Sequence, residues 1–134
     1  MTSPSISDLP PLVGLSIEAH GAVAPVHQIY DAIASAIRSG ELAPGTRLPT
    51  VRTLATDLQV AVNTVAKAIR RLEESGLVIT RGRAGTVVAA QDAPMRELSQ
   101  AAAYFAELSK RLGIDRSQAD ALLDAAFADS NTGP

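Results

Sequence analysis

Asn63, Lys67, Arg70 and Glu74 stand four, three and four residues apart, a spacing that puts side chains on one face of an α-helix. Asn63 offers an amide able to make two hydrogen bonds to an adenine edge. Lys67 and Arg70 offer cations for a guanine or a phosphate. Thr64 and Arg71 flank this stripe, while Val65, Ala68, Ile69 and Leu72 form the opposite, apolar side. The stripe is graded, with amide and cations first and Glu74 last, where a polyanion would be leaving the helix. Arg52 falls in the first turn of another predicted helix, where the helix dipole disfavours a cation. An external anion such as phosphate, or the nearby carboxylate of Asp57, would offset that. Arg81 and Arg83 surround Gly82 on a predicted hairpin tip, a shape that can straddle a phosphate or enter a minor groove. Each feature taken alone also describes an ordinary solvated face or a soluble turn.

Other chemistries have little to work with. The chain has no Cys and two His; His20 and His27 are seven apart without a carboxylate pattern, so no metal site is expected. Gly82-Arg83-Ala84-Gly85 lacks the Gly-Lys-Ser/Thr of a nucleotide loop. No Ser lies in a Gly-x-Ser-x-Gly elbow. Neither a catalytic site nor a cofactor is expected, and the chain does not read as an enzyme. No apolar run approaches the roughly 18 residues of a membrane span, and no basic segment precedes an apolar one at the N-terminus. A cytoplasmic protein is expected.

The net charge of −2 conceals a division along the 134 residues. Residues 25–90 carry eight basic and five acidic side chains, a net of +3, whereas residues 91–134 carry four basic and seven acidic, a net of −3. A local basic surface matters more for phosphate binding than the total.

The elements needed to position these groups follow from periodicity. Residues 1–11 read as a flexible tail, and Val13 to Ile17 as a short edge strand. A helix from Val26 presents Ile29, Ala32, Ile33, Ala36 and Ile37 at three-and-four spacing and stops at Gly40. Thr50 caps a short helix over about Val51 to Leu58. After a turn at Gln59-Val60-Ala61, a third helix runs from about Val62 to Ser75 and ends at Gly76. This is a helix-turn-helix over about 50–75. Two β-rich segments within about 77–89 then form a hairpin, or wing. Pro94 opens a helix whose Leu98, Ala101, Phe105, Leu108 and Leu112 make a narrow apolar stripe. Asp115 with Gln118 resembles a capping box opening a last helix that carries Ala119, Leu122, Leu123, Ala126 and Phe127.

Pro44-Gly45-Thr46-Arg47-Leu48-Pro49-Thr50-Val51-Arg52, then Leu54-Ala55, Asn63 to Ala68, Leu72-Glu73 and Arg81 to Thr86 occur in the order and spacing of one family. Together they resemble the winged helix-turn-helix of the GntR family of bacterial transcription regulators, over about half the chain. The resemblance implies an α+β winged domain at 12–90 that binds double-stranded operator DNA. It carries a phosphate-contacting role to Arg52 and a basic role to the wing. Candidate DNA-binding residues are therefore Arg52, Asn63, Thr64, Lys67, Arg70, Arg81, Gly82 and Arg83. The family's usual Ser or Thr cap on the recognition helix is Ala61 here, and the Arg that commonly follows is Val62. The Asn63-Thr64-Val65 run and the short C-terminal part resemble the YtrA-like branch. That branch implies two helices, here about 94–128, that form a homodimer, and control of transporter operons.

The candidate dimer interface is Leu98, Ala101, Phe105, Leu108, Leu112, Leu122, Leu123 and Phe127. Two other readings stay open. In one, the winged module binds an acidic protein surface. In the other, a small-molecule pocket lies between the C-terminal helices, lined by Phe105, Leu108 and Phe127. No effector can be named.

Overall fold

The computed structural model describes residues 4–82 and 85–130. Its contacts divide the chain into two compact units, Met1–Arg96 and Glu97–Pro134. In the first, α1 spans Pro25–Arg38, α2 Val51–Leu58 and α3 Val62–Glu74. Pro25 occupies the first turn of α1, where its missing N–H goes unneeded. Gln28 fixes the chain ahead of the helix. Its Nε2 donates to the Glu18 and Val23 carbonyls at 2.8 and 2.7 Å, and the Glu18 amide donates to its Oε1 at 2.9 Å. Gly40 takes φ +85° just past the helix end, a left-handed conformation in which glycine carries no Cβ penalty. Ile29, Ile33, Ala36 and Ile37 are buried as their spacing predicts; Ala34 is buried as well, and Ala32 only half-buried.

Thr50 caps α2, its Oγ1 accepting the Thr53 amide at 3.1 Å. The turn into α3 passes through Gln59 at φ 57°. α3 packs on both α1 and α2 and buries Val65, Ala68, Ile69 and Leu72. Fully burying an aliphatic side chain of this size contributes about 1.5–3 kcal/mol, so this face fixes how the helix is rotated. Strands β1 (Val78–Thr80) and β2 (Thr86–Val88) pair antiparallel in the register Val78 to Val88, Ile79 to Val87 and Thr80 to Thr86.

Two segments differ from the sequence-based expectations. Residues 1–11 were expected to form a flexible tail, yet Ile6–Asp8 and Pro10–Leu12 are 3-10 turns. Leu9 from this segment is buried in the core together with Leu12, the first residue of the winged domain, and the Ile6 amide donates to Asp57 Oδ2 at 3.1 Å. Burial of two leucines against the helices outweighs the chain entropy that composition alone implies for a Ser- and Pro-rich stretch. Val13 to Ile17 forms no strand; Leu15 and Ile17 rest half-buried against the same core.

The second unit is helical. α4 (Ala93–Arg111) begins inside the first unit, where Asp92 Oδ1 accepts the Met95 amide at 2.8 Å. Gly113, at φ +74°, lies just past its C-terminal end. The capping box forms as expected. Asp115 Oδ1 accepts the Gln118 amide at 2.9 Å, and Gln118 Oε1 accepts the Asp115 amide at 3.2 Å. They open α5 (Arg116–Ser130). Among the described residues of this unit, only Ser109 and Ala119 are buried.

Candidate nucleic-acid interface

The apolar side of α3 dictates what its other side presents. With Val65, Ala68, Ile69 and Leu72 turned inward, Asn63, Lys67, Arg70 and Glu74 are all exposed on the opposite face, and Thr64 is half-buried beside them. The stripe read from spacing is therefore one continuous outer surface. Val62 begins the helix and is 47% exposed. Ala61, the N-cap residue, has extended backbone at φ −67°, ψ 145° and no side chain able to cap. The Thr64 amide turns back to the Ala61 carbonyl at 3.1 Å. The amides of Val62 and Asn63 have no partner within the helix and point out of its positive end.

Arg52 is exposed in the first turn of α2. Asp57, its alternative partner, is instead the acceptor for the Ile6 amide. Arg81 and Gly82 are exposed where β1 enters the hairpin turn. Gly82 adopts φ +49°, with open space where a Cβ would stand. Arg83 lies outside the described residues. Among the described residues the ion pair is Arg116–Asp120 within α5, so Arg52, Lys67, Arg70 and Arg81 have no carboxylate partner there. Unpaired guanidinium and ammonium groups on adjoining elements make a surface suited to a polyanion.

Arg71 departs from this group. Its Nη1 lies 2.9 Å from His27 Nδ1 and 3.4 Å from Nε2, and the guanidinium can only donate. The contact ties the edge of α3 to the first turn of α1, 44 residues away in sequence. Nothing in the spacing of the two residues signals it.

An isolated bridge adjoins the two strands of the wing. Arg47 bridges antiparallel to Val87, the Leu48 amide donates to the Thr86 carbonyl at 2.9 Å, and the Val88 amide donates to the Thr46 carbonyl at 2.9 Å. The Pro44-Gly45 turn therefore delivers the chain along β2 before it reaches α2, which anchors the wing to the helix-turn-helix. One bridged residue gives no period to detect.

Three helices, a helix-turn-helix and an anchored hairpin define a winged helix-turn-helix that exposes Arg52, Lys67, Arg70 and Arg81 without carboxylate partners among the described residues. Residues 25–88 match the bacterial regulatory proteins of the gntR family. The chain is 44% identical over 92 residues to the HTH-type transcriptional regulator Rv1152 of Mycobacterium tuberculosis, covering 69% of this chain and 76% of that protein. It is 36% identical over 75 residues to the HTH-type transcriptional repressor YtrA of Bacillus subtilis, covering 55% and 57% respectively. Among solved structures it is similar to YtrA from Sulfolobus acidocaldarius, a GntR-family transcription factor, with 32% identity and a TM-score of 0.54 over 71% of this chain and 98% of that one. The chain belongs to the GntR family and is a YtrA-like, DNA-binding transcription regulator rather than an enzyme. No helix among the described residues is long and apolar enough to cross a membrane.

Proposed function

We propose that the chain is a cytoplasmic repressor that binds an inverted-repeat operator as a homodimer. The observation that carries the DNA surface is the set of exposed cations Arg52, Lys67, Arg70 and Arg81 without carboxylate partners among the described residues. Asn63 and Thr64 enter the major groove with the N-terminal part of α3, as recognition helices do. Lys67 and Arg70 follow them, and Arg52 holds a phosphate beside the groove. Arg81, Gly82 and Arg83 bring the wing to the flanking backbone.

Dimerisation belongs to residues 94–128. Leu98, Leu112, Leu122, Leu123 and Phe127 are exposed in the single chain, with Ala101 exposed and Phe105 and Leu108 half-buried beside them. Two copies related by a twofold axis would cover these faces mutually and set two recognition helices about one DNA turn apart, or a multiple of it. The YtrA relative is named a repressor, which favours repression here, and the YtrA-like resemblance favours transporter genes as targets. With Phe127 so exposed, a ligand pocket between the last helices has less support than a dimer.

Selecting bound duplexes from a random DNA pool tests the whole reading. The expected product is an inverted repeat bound by two chains. Selection of no sequence at all would leave a protein-binding winged module as the better account.

A further inference from the structure

The wing has an outer face that the core does not use. Val78 and Val88 pair across the hairpin and are buried, so pleating turns the neighbouring pair, Ile79 and Val87, the opposite way. Arg47 joins that outer face through its bridge to Val87. The flanking bonds run from Leu48 to Thr86 and from Val88 to Thr46, so Arg47 and Val87 exchange none themselves. Side chains come closest in such a pair. Val87 is 9% exposed while Ile79, on its other side, is 39% exposed. The difference fits an Arg stem lying over Val87 with its charged end extended beyond it.

The charged end reaches towards the wing tip. A Cβ built on Gly85 would stand 3.5 Å from Arg47 Nε and 3.8 Å from Nη2. Across the ladder from Gly85 is Arg81, whose amide donates to the Gly85 carbonyl at 2.8 Å. Two arginines thus flank one glycine at the base of the hairpin turn. Neither side chain has an ion pair among the described residues. Arg47 and Arg81 stand on either side of β2, and each guanidinium has five donors to satisfy. An anion set over Gly85 would answer both.

We infer that Arg47 and Arg81 form a clamp for one DNA backbone phosphate over Gly85, making Arg47 a DNA contact in addition to a cover for Val87. The clamp rests on the wing being a DNA-contacting element. Gly85 suits this place because a side chain would strain its φ of +76°, and a Cβ there would occupy the space that adjoins the Arg47 guanidinium.

The test is binding of the full chain across a salt series to two duplexes, one selected from a random pool and one of random sequence. Arg47→Met keeps the apolar stem and removes the charge. It is expected to lower the slope of log affinity against log salt by about one unit on both duplexes. Between about 50 and 200 mM salt its affinity would then fall about 3.5-fold less than that of the wild type. Arg47→Lys should keep the wild-type slope, and the Met variant should unfold at the wild-type temperature. A wild-type slope in Arg47→Met overturns the clamp while leaving the wing's DNA role standing; so does a lowered unfolding temperature with an unchanged slope, which would make Arg47 a brace alone. A wild type that binds neither duplex overturns the DNA reading and the clamp with it.

Discussion

Leu54, Val65 and Leu72, on the helices of the first unit, are at most 1% exposed, whereas Leu98 and Phe127 on the last two helices are 64% and 70% exposed. The first unit gathers side chains from its N-terminal turns, three helices and the wing into one cluster. The second has two helices that pack little on each other among the described residues, so their apolar faces stay open. The cores of the two units therefore have different sources. One is complete within a chain; the other presents apolar faces that the proposed homodimer would cover with a second copy of the same faces.

Charging the exposed faces is the most severe challenge to this contrast. Phe127→Glu or Leu98→Glu changes a residue that the single chain already leaves open, so folding of the first unit should be untouched. In a dimer the new charge would be buried without a partner, at about 3–5 kcal/mol, or roughly a hundredfold to several thousandfold in dimer affinity. Sedimentation at tens of micromolar should show the 13.9 kDa monomer for the variants and twice that mass for the wild type. A monomeric wild type would end the dimer proposal.

Leu72→Ala probes the other side. Leu72 is fully buried on α3, so the substitution should cost about 2–5 kcal/mol by loss of contacts and a residual cavity. The loss should not depend on protein concentration, whereas unfolding of the C-terminal helices should. Equal concentration dependence for both would mean that the first unit too draws its core from a partner.

The same contrast explains what could be read from sequence. α1, α2 and α3 were legible because their buried residues recur at three-and-four spacing against a polar side, and the bounds of α2 coincide with expectation. The stripe Asn63, Lys67, Arg70, Glu74 was legible for the same reason, as the complement of a buried face. Leu9 and Leu12 were not, because 3-10 turns of three residues contain no period. Arg47 was missed because a single bridge to Val87 depends on a partner 40 residues away. The Arg71–His27 contact is likewise purely tertiary. In the second unit the apolar stripes were clear in sequence, and the structure leaves most of them open.

Within the first unit, Asn63 and Val62 separate reading from holding. Asn63→Ala should cost about 1–3 kcal/mol on the selected duplex and much less on random DNA, measured by titration at fixed salt. An equal loss on both would reduce Asn63 to a backbone contact. Val62, exposed beside it, would then be the better candidate for reading a base, through a thymine methyl.

The smallest expected effect concerns the two helices of the helix-turn-helix, which begin differently. α2 has Thr50, whose Oγ1 accepts the Thr53 amide; α3 has Ala61, with the backbone angles of a cap and no group to perform it. Ala61→Ser should therefore supply to α3 what Thr50 supplies to α2, a gain of about 1 kcal/mol, or roughly 4–8 °C in the unfolding temperature of a domain this size. Thr50→Ala should lose a similar amount. The two substitutions act on different helix ends, and in combination their effects should nearly cancel. The amides that the introduced hydroxyl would engage are also those best placed to meet a phosphate, so the stabilised variant is expected to bind DNA no better than the wild type. If Ala61→Ser leaves the unfolding temperature unchanged, the first turn of α3 is already satisfied, and its bare start contributes nothing to the interface.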